Sequence, residues 1–321
     1  MTPADLLSLQ ARHHHDAGRL AEAETLYLRS LAHDPFHHDA LHGLGLLHHA
    51  TERERTATAL IGRAIALSPL TAHYYRDLAV GLMKLGRLAT MAAACRIATM
   101  LAPGDHNGWT MLGMALSLPP CDAPATVTAL RRAILSGAGT VPVLMKLGET
   151  ARLAGRKTLA VAAYRMAAAL SPQDIYLLYN LGTVRKEAGE PREAIAAFRQ
   201  AIRIDPSFGH AFYGAGDCLI RLEQADEAAG ILRQSAALDP ARFDTLSGLA
   251  RINETGNDNA AAERWFRRAA VVNPGDAVAH FNHGIVLERL NRQGDAADVY
   301  DKALEADPNL GGAHEKFIFK L

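Results

Sequence analysis

The chain has 321 residues, and its 34 Lys and Arg residues are balanced by 34 Asp and Glu residues. A formal net charge of zero gives no general positive field, so neither a nucleic-acid partner nor a membrane partner is predicted. Cys95, Cys121 and Cys218 are far apart and odd in number, which indicates reduced thiols. Because no export signal precedes them, we expect a cytoplasmic protein.

Prolines recur along the chain with a step of 34 residues, at Pro35, Pro69 and Pro103, then at Pro172, Pro206, Pro240, Pro274 and Pro308. The longer gap after Pro103 accommodates one proline-free unit with a single inserted residue. A fixed period of this length is typical of stacked repeats. It predicts nine units, with bounds 4–37, 38–71, 72–105, 106–140, 141–174, 175–208, 209–242, 243–276 and 277–310.

The same kinds of residue recur at the same places of every unit, counted from its first residue. Places 8 and 27 are always small, and place 24 is large and apolar, as in Gly182, Ala201 and Phe198. Small residues on two facing helices allow close approach, and the large residue fills the space beside them. The first helix is predicted to end at residues that tolerate a left-handed conformation, namely Gly18, Gly86, Gly155, Gly189, Asn257 and Asn291. Each unit is therefore predicted to fold as helix, turn, helix.

This pattern, together with Ala at place 20 and Pro at place 32, resembles the tetratricopeptide repeat over residues 4–308. The resemblance implies an all-α fold, a right-handed alpha-alpha superhelix (TPR solenoid) of about nine repeats, followed by a C-terminal helix over 311–321. The fourth unit departs from the pattern at 119–124 and at 136–139. We expect a kink or loosened stacking there.

In proteins of that family the first helices of the repeats line a concave groove. The resemblance carries this role to nine residues, which we predict to bind a protein or peptide partner: Tyr176, Tyr179, Asn180, Lys186, His210, Tyr213, Asp217, Arg221 and Asn282. Tyrosine beside charged and hydrogen-bonding groups is typical of binding hot spots. The alternative is that the tyrosines only pack between neighbouring helices.

Nine of the 15 histidines lie before residue 50, and His38 and His42 are four residues apart on one predicted helix. A histidine-dependent metal-binding module is therefore a second alternative. No cysteine or acidic pair stands at ligand spacing from these histidines, so no metal ligand is assigned. Phosphate-binding and catalytic motifs are also missing from the sequence, and we predict neither catalytic residues nor a cofactor.

The segment 313–321 is similar to the junction that joins repeat arms to the catalytic domain in bacterial relatives of SPINDLY and O-linked N-acetylglucosamine transferase. This resemblance implies an acceptor-recognition arm whose catalytic domain follows Leu321. However, such arms often carry asparagine at place 6 of successive repeats, and only Asn180 and Asn282 match. The primary prediction is a non-catalytic interaction scaffold, and the glycosyltransferase arm is the alternative. The sequence predicts no oligomeric state.

Overall fold

The computed structural model describes residues 1–119 and 121–310. These residues form an all-α fold in two compact units, with the boundary between Ala167 and Ala168. In the described residues there are 18 helices and no β-strand. The first unit contains α1 (Pro3–Asp16), α2 (Leu20–His33), α3 (His38–Ala50), α4 (Glu54–Leu67), α5 (Ala72–Lys84), α6 (Leu88–Leu101), α7 (His106–Ser117), α8 (Ala123–Leu135) and α9 (Val141–Leu153). Helix α10 (Lys157–Leu170) includes the boundary between the units. The second unit contains α11 (Ile175–Ala188), α12 (Pro191–Ile204), α13 (Gly209–Arg221), α14 (Ala225–Leu238), α15 (Phe243–Thr255), α16 (Asn259–Val272), α17 (Ala277–Arg289) and α18 (Gln293–Ala306).

Successive helices pack as antiparallel pairs. In the first unit the hydroxyl of Ser30, near the end of α2, donates to the carbonyl of Ala4 at the start of α1, at 2.8 Å. In the second unit Ser235 near the end of α14 makes the equivalent bond to Gly209 at the start of α13, at 3.4 Å. Since the end of one helix meets the start of the other, the predicted helix, turn, helix arrangement is confirmed.

The small and large residues of each pair meet as the repeat pattern predicted. A Cβ atom added at Gly182 on α11 would lie 2.7 Å from the ring of Phe198 on α12. A Cβ atom at Gly45 would likewise lie 2.7 Å from Ile61. Real Cβ contacts are longer, so these glycines let the two helices approach until the large side chain fills the remaining space. This contact locks α11 to α12 and α3 to α4.

In most helix pairs, the turn between the two helices contains a residue with a left-handed backbone conformation. The six residues predicted for this role all have positive φ, between 58° and 84°. Glu52 and Glu223 also have positive φ, at 59° and 60°, which was not predicted because glutamate has no preference for this conformation. A side chain in this region costs about 1 kcal/mol relative to glycine. The geometry of the turn therefore outweighs the preference of the residue.

We expect Glu223→Gly to raise the free energy of unfolding by about 1 kcal/mol, because glycine removes the left-handed penalty at this exposed position. The matched change is Gly189→Glu, at the equivalent turn between α11 and α12, where φ is 84°. It should lower the free energy by a similar amount. Urea unfolding followed by circular dichroism measures both changes. Shifts of the same sign in the two variants would contradict the explanation.

The expected loosening of the fourth repeat is not seen where α7 packs against α8. Leu112, Ala115 and Leu116 on α7 belong to one buried cluster with Ala129 on α8. The departure in sequence is instead taken up by the turns, where Asp122 caps α8 and Gly137 has a φ of 110°. The predicted terminal helix, 311–321, lies outside the described residues. Among the helices that are described, none is both long and apolar enough to cross a membrane.

Candidate functional site

The first helices of successive pairs lie beside one another in the second unit. Helix α11 contacts α13, and α13 contacts α15. Arg289 Nη1 on α17 lies 3.3 Å from Glu254 Oε1 on α15, so the series continues to the last pair. We call the accessible side of α11, α13, α15 and α17 the first-helix face. None of the nine residues predicted to bind a partner is buried, and Tyr176 is 62% exposed.

Four aromatic rings form a continuous cluster on this face, which we call the aromatic shelf: Tyr176, Tyr179, Phe208 and His210. The ring centroid of Phe208 lies 5.7 Å from that of Tyr176 and 5.5 Å from that of Tyr179, and both pairs are edge-to-face. Phe208 and His210 are stacked at 5.4 Å. Tyr179 also lies 5.8 Å from the buried ring of Phe198. The shelf thus joins two successive first helices and rests on the core.

His210 is held as a neutral ring. Its Nε2 atom lies 3.2 Å from Nη2 of Arg242, and a guanidinium can only donate, so the imidazole nitrogen accepts. Burial, followed by the charge of Arg242, lowers the pKa of His210. Arg242 in turn lies 3.3 Å from the carboxylate of Asp239. The aromatic shelf therefore carries no unpaired charge at neutral pH.

The charged residues of the predicted site form one group beside the shelf. Lys186 Nζ donates to Asp217 Oδ2 at 2.9 Å, which joins α11 to α13. Arg221 Nε lies 3.5 Å from the same oxygen. The two cations thus share one carboxylate, and neither is a fully free charge for a partner. The Arg221 contact is exposed and therefore contributes little to stability, whereas Lys186 and Asp217 are both half-buried.

Several polar groups of the first-helix face have no hydrogen-bond partner among residues 1–119 and 121–310. They are the hydroxyls of Tyr176 and Tyr179 and the side-chain amides of Asn180 and Asn282. Such a group can exchange its water for a ligand without breaking a hydrogen bond within the protein. Three of these four groups lie on α11, at or next to the aromatic shelf.

Tyr213 has a different environment from the other two tyrosines. It packs against the buried cluster of Leu232, Ala236 and Leu249, and Lys186 Nζ lies 5.9 Å from its ring centroid. Burial, followed by the charge of Asp217, raises the pKa of Tyr213 to about 12. The contacts of Tyr213 are therefore those of a tyrosine that packs between neighbouring helices. Tyr176, by contrast, is open to solvent.

Sequence reasoning missed Phe208 and Arg242. Each is the last residue of its predicted 34-residue repeat and directly precedes a first helix. Each contacts the residue at place 2 of the first helix before it: Phe208 contacts Tyr176, and Arg242 contacts His210. The first repeat, 4–37, follows the same rule, since its last residue, His37, bonds to Asp5 at place 2. An aromatic residue at a last place is therefore the signal that could have identified Phe208.

Three histidines of Met1–Ala167 pair with side chains of a neighbouring first helix. Three such contacts are His37 Nε2 to Asp5 at 3.1 Å, His38 Nδ1 to the Tyr74 hydroxyl at 2.9 Å, and His42 Nε2 to Asp77 at 2.8 Å. Within the part of the chain that the structure describes, no group of three or more His, Cys, Asp or Glu residues is arranged to hold a metal ion. These three histidines thus bridge the successive first helices α1, α3 and α5.

Known proteins were compared with this chain by sequence, by structure and by family model. No curated protein sequence matches this chain. Among solved structures it is similar to MamA (21% identity, TM-score 0.49, covering 57% of this chain and 97% of that chain) and to YrrB, a TPR protein with an unusual peptide-binding site (22%, 0.49, 61% and 100%). It is also similar to a double mutant of MamA from RS-1 (18%, 0.50, 53% and 96%). At this level of identity the similarity shows a shared fold and nothing more. A family model described as tetratricopeptide repeat matches residues 8–57, 125–175, 179–243 and 246–310, more than half of the chain. The chain therefore belongs to the tetratricopeptide repeat family.

Proposed function

We propose that this protein is a non-catalytic interaction scaffold that binds a segment of another protein on the first-helix face of the second unit. The observation that supports this most is that the two tyrosine hydroxyls and the Asn180 amide of α11 make no hydrogen bond within the described protein and lie beside accessible aromatic rings. Rings contribute large contact area, and the polar groups can fix the position of a bound backbone. The face is the one predicted from the family resemblance to line the groove.

The contacts within the aromatic shelf favour tight binding for a physical reason. Tyr179 is held by Phe198, Phe208 and His210, so its rotamer is fixed before a partner arrives. Ordering a free side chain on binding costs about 0.5–1.5 kcal/mol. A pre-ordered ring avoids most of that cost, and aromatic residues have few rotatable bonds to begin with.

The test is selection from a displayed library of protein-derived peptides on the intact chain. Selected peptides are then measured on the double variant Tyr176→Ala/Tyr179→Ala by fluorescence anisotropy. We expect Kd to rise about tenfold or more, which corresponds to a loss of about 1.4 kcal/mol or more. The matched control is Phe36→Ala, which removes a 72% exposed ring from the first unit and should leave Kd unchanged.

Two results would count against the proposal. If selection yields no peptide that binds the intact chain, the scaffold function is not supported. If the selected peptides bind the double variant as tightly as the unaltered chain, the first-helix face of the second unit is the wrong surface. Circular dichroism of both variants checks that the helices remain folded.

A further inference from the structure

The aromatic shelf has a composition that restricts what it can bind. It presents ring surfaces and two tyrosine hydroxyls that make no hydrogen bond within the described protein, and its four rings carry no unpaired charge. The amide of Asn180, next to the shelf, is likewise without a partner among the described residues. A partner segment that depends on charged side chains finds no free counter-ion on these four rings. The shelf therefore suits an uncharged segment.

The backbone conformation of the partner segment can be inferred from the hydrogen-bonding groups that α11 and α13 present. The backbone groups in the middle of α11 and α13 are bonded within their own helices, so this face has no strand edge to which a β-strand could add. A bound helix would keep its carbonyl groups bonded internally, so the tyrosine hydroxyls and Asn180 would gain no backbone acceptor from it. A segment in the polyproline II conformation has no internal hydrogen bonds, and its carbonyl groups remain free to accept.

Taken together, these contacts lead us to infer that the aromatic shelf binds a proline-rich segment of the partner in the polyproline II conformation. This inference rests on the proposed scaffold function and names its partner class. Proline rings lie against Tyr176, Phe208 and Tyr179, and the tyrosine hydroxyls and the Asn180 amide donate to carbonyl groups of the segment. Aromatic-lined surfaces recognise such segments because the conformation is already ordered before binding.

The spacing of the rings agrees with this geometry. Neighbouring ring centroids of the shelf lie 5.4 to 6.0 Å apart. Polyproline II advances about 3.1 Å per residue, so two residues span about 6 Å. Successive pairs of residues can therefore meet successive rings. Because Phe208 contacts both tyrosines and His210, it lies at the centre of the contact surface.

The test uses three fluorescein-labelled peptides of 15 residues on the intact chain: repeating Pro-Pro-Ala, repeating Gly-Gly-Ala, and an amphipathic Ala-Leu-Gln helix. We expect the proline peptide to bind at least about tenfold more tightly than the other two, as measured by anisotropy. Phe208→Ala should weaken it by about tenfold or more, and so should Tyr176→Ala, which alters an exposed residue and spares the core.

The hydroxyl contribution is tested separately by Tyr179→Phe, which keeps the ring and should raise Kd by about three- to tenfold. Phe36→Ala is again the control and should have no effect. Equal binding of the glycine peptide or of the helical peptide would overturn the inference. So would library-selected peptides that lack proline yet need Tyr176 and Tyr179, although that result would leave the scaffold function standing. A library with no ligand for the shelf would overturn both.

Discussion

Gly182→Leu is expected to lower the free energy of unfolding by about 3 kcal/mol. Even the first added carbon would lie 2.7 Å from the ring of Phe198, and the rest of the leucine side chain has no space between α11 and α12. The two helices must move apart, which opens the packing of the whole pair. Urea unfolding followed by circular dichroism gives the change in free energy.

The control for this variant is Gly230→Leu on α14. A Cβ atom at Gly230 would meet no described atom within 4 Å, so only helix propensity changes there. Leucine favours a helix over glycine by about 0.5–1 kcal/mol, so this variant should be slightly more stable. An unchanged unfolding curve for Gly182→Leu would mean that α11 and α12 are not packed as described.

Phe198→Ala should cost about 3–5 kcal/mol, the range found for truncation of a buried phenylalanine. The ring is 1% exposed and lies between two glycines, since a Cβ atom at Gly214 would be 2.6 Å from it, much as at Gly182. The site should be affected as well, because Tyr179 loses the ring on which it rests. We expect lower stability and weaker peptide binding in the same variant.

A double-mutant cycle separates this packing from a general loss of stability. Gly182→Ala alone should destabilise the chain, because its methyl group meets the Phe198 ring. In the Phe198→Ala background the same methyl group enters the vacated space, so the penalty should disappear. Urea unfolding of the four proteins gives the coupling energy. Additive free energies would show that the two residues are not in contact.

Much of this protein was predictable from local pattern. The 34-residue step and the small residues at places 8 and 27 describe contacts inside one helix pair, where only a short turn separates the partners. Left-handed turns at Gly18 and Gly189 were predicted because glycine prefers that conformation. Glu52 and Glu223 were not, since their residue type opposes a geometry that the helix pair imposes. The nine predicted binding residues remain a prediction, with Tyr213 most involved in packing.

Sequence alone determined the helix pairs and the face on which a partner is proposed to bind. The reason is that every 34-residue repeat carries the same pattern of small and large residues at the same places. Only the tertiary structure decided which side chains meet where successive first helices lie side by side. Phe208 lies on Tyr176, and His42 bonds to Asp77, although 32 and 35 residues separate them. Such contacts depend on how far each helix pair rotates relative to the next. That rotation results from the packing of the large side chains and cannot be read from the period itself.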